Sequence, residues 1–258
     1  MSFDEGETSK NLLVIGGSSG IARSVIRKAS DAGWNVFASS RAQSEAQSGL
    51  KSLPDEELHL GKLEWDQSTG VEALNLDLES EYSIRSFVST LSRNGIKFDG
   101  LVFAGATSHG GRIGLVSSEE VERILRINLF SAISLSQRLV RLLRPPASVV
   151  LISSDSAHTA ITGNFLYGTS KAALERFSKS LALEVANRGV RVNCVSPTLV
   201  DTPMLKQMDD KSRTEVLALA RAERVLRPDE VASTILFLLS DSSSAINGQS
   251  LYLGEYAS

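Results

Sequence analysis

Tyr167 and Lys171 stand four residues apart in the run Tyr167-Gly168-Thr169-Ser170-Lys171-Ala172-Ala173-Leu174. On a helix, positions i and i+4 share a face, so a phenol and an ammonium would project into the same space. An ordinary tyrosine, with a pKa of about 10, exchanges protons poorly near neutrality. A positive charge within roughly 4–6 Å favours the phenolate and lowers that value. A phenol tuned in this way can give a proton to a carbinol oxygen or take one from it. The spacing alone equally describes a surface tyrosine and a solvated lysine on an amphipathic helix, so its meaning depends on what else the chain carries.

A second chemical feature lies near the N-terminus. The apolar run Leu12-Leu13-Val14-Ile15 passes directly into Gly16-Gly17-Ser18-Ser19-Gly20-Ile21-Ala22. Glycines let the backbone turn sharply and approach a ligand closely. The helix that follows offers unpaired N–H groups and a positive dipole end, which suit a pyrophosphate. A strand before and a helix after is the setting in which such a loop holds a dinucleotide. A tight turn without a ligand is the alternative. No Gly-Lys-Ser/Thr follows, which argues against a kinase or nucleotide hydrolase.

The next apolar run ends in Ser39-Ser40-Arg41. An acidic residue there would accept hydrogen bonds from ribose hydroxyls and favour NAD. Arg41 could instead form a charged fork with a 2′-phosphate, with Ser40 donating to it, so NADP(H) is expected over NAD(H). A solvated arginine at a strand end is the alternative. Asp77, in Asn75-Leu76-Asp77-Leu78, is placed either to meet an adenine amino group or to cap the next helix.

Short apolar runs predict strands over 12–15, 34–38, 71–76, 100–103, 148–153, 190–195 and 250–253. Helical patterns fall between them: 21–29, stopped by Gly33; 82–93; one long helix over 118–143; and the Tyr167 helix, running to about Arg188. Alternation of this kind means βαβ units. Right-handed crossovers then give a single-domain, doubly wound parallel sheet of about seven strands, Rossmann-like, with helices on both faces. Residues 1–10 read as a mobile tail and 11–258 as one domain. Segment 42–70, with His59 and Trp65, has no clear assignment. Segment 203–226 is charged and amphipathic, either a lid over substrate or a solvated helical excursion.

The 258 residues are 42% hydrophobic and 22% charged, enough for one large core. The formal net charge of -3 gives no electrostatic reason to expect nucleic acid or a membrane surface as partner. One cysteine, Cys194, excludes an intrachain disulfide, and three scattered histidines do not make a metal set. The acidic, polar start is unlike a signal peptide, and no apolar run reaches the roughly 18 residues of a spanning helix. A cytoplasmic setting is expected.

With these residues assembled, the chain resembles the short-chain dehydrogenase/reductase family from about Leu12 to Leu253, closest in pattern to its 3-oxoacyl-carrier-protein reductase branch. The family's Thr-Gly-x-x-x-Gly-x-Gly loop maps onto residues 15–22, with Ile15 for threonine and Ala22 for the last glycine. Its Asn-Asn-Ala-Gly motif is poorly kept: Val102-Phe103-Ala104-Gly105-Ala106 matches Ala104-Gly105 only with a one-residue gap. Ser196-Pro197-Thr198-Leu199-Val200-Asp201-Thr202 resembles the Pro-Gly turn that holds the carboxamide, with Thr198 in place of glycine. Gly254-Glu255-Tyr256 stands where Asp-Gly-Gly usually closes the chain.

The resemblance implies a catalytic set of Asn128, Ser154, Tyr167 and Lys171. Ser154 precedes Tyr167 by thirteen positions, and Ser153 is the alternative if the register slips. It further implies cofactor contacts from Gly16, Ser18, Ser19, Gly20, Ile21, Ser40, Arg41, Asp77, Leu78, Ala104, Gly105, Asn128, Tyr167, Lys171, Val200 and Thr202. Ser154 would polarise a substrate carbonyl and Tyr167 would protonate it. Lys171 would lower the Tyr167 pKa and bind nicotinamide ribose hydroxyls, and Asn128 would hold a proton-relay water. The expected activity is NADP(H)-dependent reduction of a β-ketoacyl thioester or pathway-specific small ketone. An NAD(P)-dependent alcohol or sugar dehydrogenase, or a nicotinamide-binding regulator without turnover, are the alternatives. A homotetramer or dimer built on the fourth and fifth helices is expected. His109 and His158 are weaker candidates for substrate contact, with structural or solvated roles as the alternative, and Cys194 reads as packing.

Overall fold

The computed structural model describes residues 9–41, 71–206 and 224–254. Seven strands form one parallel sheet: β1 Asn11–Ile15, β2 Asn35–Ser40, β3 Glu72–Asn75, β4 Phe98–Phe103, β5 Leu143–Ile152, β6 Val190–Pro197 and β7 Ser250–Leu253, ordered β3-β2-β1-β4-β5-β6-β7. The longer helices are α1 Gly20–Asp31, α2 Glu81–Arg93, α3 Ser118–Leu125, α4 Ser131–Leu139, α5 Phe165–Val185 and α6 Pro228–Leu239, and a single helical turn spans Pro203–Lys206. Of the expected N-terminal tail, residues 1–8 lie outside the described residues. Ser9 donates to the Gly33 carbonyl (2.9 Å), and Lys10 reaches Asp241 (3.4 Å). Residues 42–70, with His59 and Trp65, and residues 207–223 of the expected lid also lie outside.

The core sits on both faces of the sheet, as period-2 side chains require. Leu13 and Ile15 of β1 point to the face covered by α2, α4 and α5, where Phe87, Leu91, Leu135 and Leu174 meet them. Leu12 and Val14 point to the other face, against Val25 and Ile26 of α1 and Ile235 and Leu238 of α6. In α1, Ala22, Val25, Ile26 and Ala29 are buried, the i, i+3, i+4, i+7 stripe of a helix laid on a sheet. Ser19 caps this helix by accepting from Ala22 N at 3.2 Å. Gly33, at φ 83, carries the chain out of α1 toward β2.

β1 pairs with β2 on one side (Ile15 opposite Ser39) and with β4 on the other (Ile15 opposite Phe103). The connections after β1 and β4 therefore diverge to opposite faces. That divergence opens a crevice above the strand ends, where open α/β sheets bind ligands.

The long helix expected over 118–143 is interrupted. Residues Arg126–Phe130 form a π-helical turn, Val140–Leu142 a 3-10 turn, and the chain is already in β5 from Leu143. Two causes are visible. Ser131 Oγ bonds back to the Ile127 carbonyl at 2.6 Å, competing with the regular ladder. Pro145 and Pro146 cannot donate to a helix and sit on the exposed start of β5 instead.

Candidate active site

A cleft of about 910 Å³ lies over the carboxyl ends of β1, β4, β5 and β6. Among the residues lining it are Gly16, Ser18, Ser19, Gly20, Ile21, Ser40, Arg41, Asp77, Leu78, Ala104, Gly105, Ser154, Tyr167, Lys171, Val200 and Thr202. Of the site residues expected from sequence, Asn128 alone is not in its wall; it is 1% exposed, behind the loop after β4.

At the glycine end, Gly17 N donates to Ser39 O (2.7 Å) and Gly16 N to Ser39 Oγ (3.2 Å), fixing the loop to β2. Gly16 adopts φ 81, and a Cβ there would come within 2.5 Å of Gly105 Cα. The Ala104-Gly105 pair thus meets the first glycine of the loop backbone to backbone, and Ala104 N donates to Ile15 O at 2.8 Å. The first N–H groups of α1, with no intrahelical acceptors, belong to Gly20 and Ile21 in the cleft wall. A Cβ on Gly20 would lie 2.9 Å from Thr202 Cγ2, so the loop closes directly on the segment after β6. At the far end, Arg41 is exposed and Ser40 mostly buried. Asp77 is not the cap of α2; Ser80 is. One Asp77 oxygen accepts from Glu79 N at 3.0 Å, making a local turn.

At the opposite end of the cleft, Ser154 and Tyr167 both line the wall, with the Ser154 side chain acting to lower the Tyr167 pKa. The Ser153 hydroxyl is turned away, donating to Lys171 O at 3.2 Å, so the hydroxyl facing Tyr167 belongs to Ser154. Lys171 is 2% exposed; its Nζ donates to Ile152 O at 2.8 Å and lies 5.6 Å from the centroid of the Tyr167 ring. The expected lowering of the Tyr167 pKa is reversed here. Burial pushes the phenol up to about 12, against the Ser154 hydrogen bond and with the nearby Asp155 carboxylate adding to the rise. Lys171 does not offset this. Its ammonium is directed to a backbone carbonyl, and burial lowers it to about 8, opposed by Cys194 and Glu175.

Asn128 sits in the π-helical turn. Its Oδ1 accepts from Thr107 N (2.8 Å), while its Nδ2 donates to Thr107 O (2.9 Å) and to Ser170 Oγ (3.0 Å). Both amide hydrogens are therefore used in tying the loop after β4 to α5, the helix of Tyr167 and Lys171. The widened turn is where the helix admits that side-chain clamp.

Two contributors escaped the sequence reading. Asp155 is 8% exposed and lines the cleft; Ser154 Oγ donates to its Oδ1 at 3.1 Å, and burial pushes its carboxyl above the usual range. Gly168 follows Tyr167 directly, and a Cβ there would lie 2.5 Å from Ser156 O. A glycine in the first turn of a helix is the signal that could have marked this contact. It lets α5 lie flat against the segment carrying Ser154. His109 lines the cleft, with Nδ1 3.7 Å from Glu120, whereas His158 is bonded to Glu175 and Tyr252.

Thr198 is 6% exposed, and its N donates to Leu253 O at 2.8 Å. Cys194 is buried in β6, where its thiol is pushed up to about 12 by burial, consistent with packing rather than nucleophilic chemistry. Among the described residues no helix is long and apolar enough to cross a membrane.

A family model described as Enoyl-(Acyl carrier protein) reductase matches residues 16–254. The chain is 32% identical over 244 residues to Carbonyl reductase family member 4 of Danio rerio, covering 94% of this chain and 95% of the relative. It is 29% identical over 255 residues to the 3-oxoacyl-[acyl-carrier-protein] reductase FabG of Salmonella typhimurium, covering 98% and 97%. The solved structure of a short chain dehydrogenase family protein from Francisella tularensis superposes with a TM-score of 0.79 at 25% identity, covering 95% of this chain and 97% of that one. The family model and the near full-length alignments agree with the fold: the chain belongs to the short-chain dehydrogenase/reductase family of oxidoreductases acting on CH–OH and C=O groups, in its FabG-like branch.

Proposed function

We propose that the protein is an NADP(H)-dependent ketoreductase that converts a β-ketoacyl thioester or another small ketone to a secondary alcohol. The carrying observation is that Ser154, Tyr167 and Lys171 line the same cleft that also presents Ser40 and Arg41. The glycine-floored passage between them fits a dinucleotide: bare backbone at Gly16 and Gly105, and the N–H groups at the start of α1 for a pyrophosphate. Arg41 and Ser40 suit a 2′-phosphate, and Asp77, Leu78, Ala104, Val200 and Thr202 form the remaining walls. The names of the carbonyl reductase and 3-oxoacyl reductase relatives support the same reading.

NADPH, when bound, supplies the hydride. The Ser154 hydroxyl would release Asp155 and donate to the substrate carbonyl oxygen, and the Tyr167 hydroxyl would donate beside it and then pass its proton. Donors aimed where negative charge develops stabilise the transition state more than the ground state. A phenol held at about 12 stays protonated at neutral pH, which suits the acid of a reduction better than the base of an oxidation. Lys171, fixed to Ile152 O, orients ribose hydroxyls, and Asn128 is a positioning residue that ties α5 to the substrate loop.

Phe130 (51% exposed) and Leu183 (80% exposed), beside and within α4 and α5, support self-association into a dimer or tetramer. A cytoplasmic location accords with the reading. The test follows the loss of NADPH absorbance across β-ketoacyl thioesters, simple ketones and enoyl thioesters. Ketone-dependent oxidation of NADPH, faster than with NADH, is expected. Turnover of enoyl thioesters alone would overturn the ketoreductase assignment.

A further inference from the structure

Asp155 is a carboxyl group placed where the proposed reduction builds negative charge. It follows Ser154 directly, is 8% exposed, and lines the cleft together with Ser154 and Tyr167. A carboxylate beside a developing oxyanion opposes the reaction unless something compensates it. No lysine or arginine among the described residues pairs with Asp155. The Lys171 ammonium is bonded to Ile152 O, and the imidazole of His158, three positions on, is engaged by Glu175 and Tyr252. Burial raises the Asp155 carboxyl, and the Ser154 hydroxyl, the Ser156 backbone and His158 work against that rise. The side-chain partner that Asp155 does have is Ser154, whose Oγ donates to Oδ1 at 3.1 Å.

That bond and the reduction compete for one proton, because a serine hydroxyl has a single O–H. When Ser154 turns to the substrate carbonyl, Asp155 loses its donor in a place nearly closed to water. A buried acceptor left bare costs more than the hydrogen bond contributed. A substrate that brings its own donor makes the exchange even. Oγ and Oδ1 stand 3.1 Å apart, a span that a carbonyl oxygen and a donor on the adjacent carbon bridge. We propose that Asp155 is a specificity-determining residue that accepts a hydrogen bond from a hydroxyl or ammonium on the carbon next to the reacting carbonyl, so that the preferred substrates are α-hydroxy or α-amino ketones. This rests on the ketoreductase reading and narrows it, away from plain β-ketoacyl thioesters and toward small ketones with an adjacent donor.

The two donors differ in charge. A hydroxyl restores the hydrogen bond that Ser154 gives up. An ammonium restores it and also neutralises the carboxylate while the substrate oxygen becomes negative, so it gains more. A carboxylate on the same carbon meets like charge and is rejected. A ketone with no polar group there leaves Asp155 unpaired, which is how a site built to bond a substrate O–H or N–H discriminates against the analogue lacking it.

The test compares kcat/KM, with NADPH, for acetone, hydroxyacetone, aminoacetone and pyruvate, with an acetoacetyl thioester as reference. Aminoacetone is expected to lead acetone by roughly 10–100-fold and hydroxyacetone to lead it by up to about tenfold. Pyruvate is expected to fall below acetone; its carbonyl is the more electrophilic, so that order does not come from reactivity. Asp155→Asn keeps the shape and removes the charge. It should cut the aminoacetone-to-acetone ratio by about tenfold or more and raise the pyruvate-to-acetone ratio. Ratios taken within one protein cancel the fraction that folds, and Asp155→Ala is the second variant. Hydroxyacetone and aminoacetone no better than acetone in the unsubstituted protein, or ratios unchanged in the variants, would overturn the inference and leave the ketoreductase reading standing. Absence of turnover with every ketone, the thioester included, would overturn the ketoreductase reading itself.

Discussion

Thr198 and Gly254 occupy one another's space. A Cβ built on Gly254 would collide with Thr198 Oγ1 and lie 2.8 Å from its Cγ2, and Gly254 has φ 107. The family's turn has glycine at position 198 by resemblance; here the threonine side chain is buried with its hydroxyl unpartnered, and the bare residue is on the neighbouring segment. The room for the larger side chain comes from the strand alongside it. Gly254→Ala is therefore expected to destabilise by roughly 1–3 kcal/mol through overpacking and an unfavourable φ. Thermal unfolding should report a drop of several degrees, and Thr198→Gly in the same chain should restore part of it, a non-additivity expected of residues in contact.

Tyr167→Phe removes the hydroxyl at the Ser154 end of the cleft and leaves the ring that lies near Lys171. Turnover should fall on the order of 10²–10⁴-fold, the usual loss for a general acid. NADPH binding, measured by fluorescence titration, should stay within a few-fold of the original, since the aromatic ring and Lys171 remain.

Gly168→Ala places a methyl 2.5 Å from Ser156 O and so separates α5 from the Ser154 segment. A displacement of this kind costs up to about 10²-fold in rate when it parts aligned groups. The expected signature is a fall in kcat with little change in the KM for NADPH, because the contact lies at the hydroxyl end of the cleft and not at Arg41.

Arg41→Ala is expected to act at the opposite end. Loss of a charged hydrogen-bonding partner for a 2′-phosphate, about 1.5–3 kcal/mol, corresponds to a rise of roughly 10–100-fold in the KM for NADPH. The KM for NADH should barely move. Equal effects on both cofactors would show that Arg41 does not meet the phosphate.

Cys194 carries a pH dependence of stability. Its folded pKa, about 12, is raised above the ordinary 9.0 by burial. A raised acid is fully stabilising below its unfolded value and loses that contribution as pH climbs, because the unfolded chain sheds its proton first. Relative to Cys194→Ala, which cannot ionise, the unsubstituted protein should hold its margin below pH 9 and lose it progressively toward 12. Urea midpoints at several alkaline pH values check the sign.

What the residues revealed in advance was local or periodic. Leu12 to Ile15 reads as a buried parallel strand because four apolar residues run straight into glycines, and Tyr167 and Lys171 find one face because a helix repeats that way. The strand set follows from the same kind of signal and matches the observed sheet. The break in the helix at Arg126–Phe130 was hidden because the clamp it admits, Asn128 on Thr107, joins residues twenty-one apart in the chain. The Tyr167 pKa was misjudged in direction because spacing reports a nearby cation but not how much water burial removes, nor that Ile152 O would engage that cation first. Thr198 looked like a restriction on its own turn; the residue that accommodates it is fifty-six positions away and touches it through the edge of the sheet.

The Asn128 clamp has a consequence for how this scaffold can change its taste in substrates. By gripping both the N–H and the carbonyl of Thr107, it anchors the root of the loop on the same helix that carries Tyr167. A second tie lies midway, where Gly111 N donates to Gly163 O at 2.9 Å, two residues before α5 begins. Between these two moorings and beyond the second, side chains from Ser108 to Ser117 can be recharged or exchanged while the backbone near Tyr167 stays held, so new selectivity should be won there by altering side chains rather than loop length.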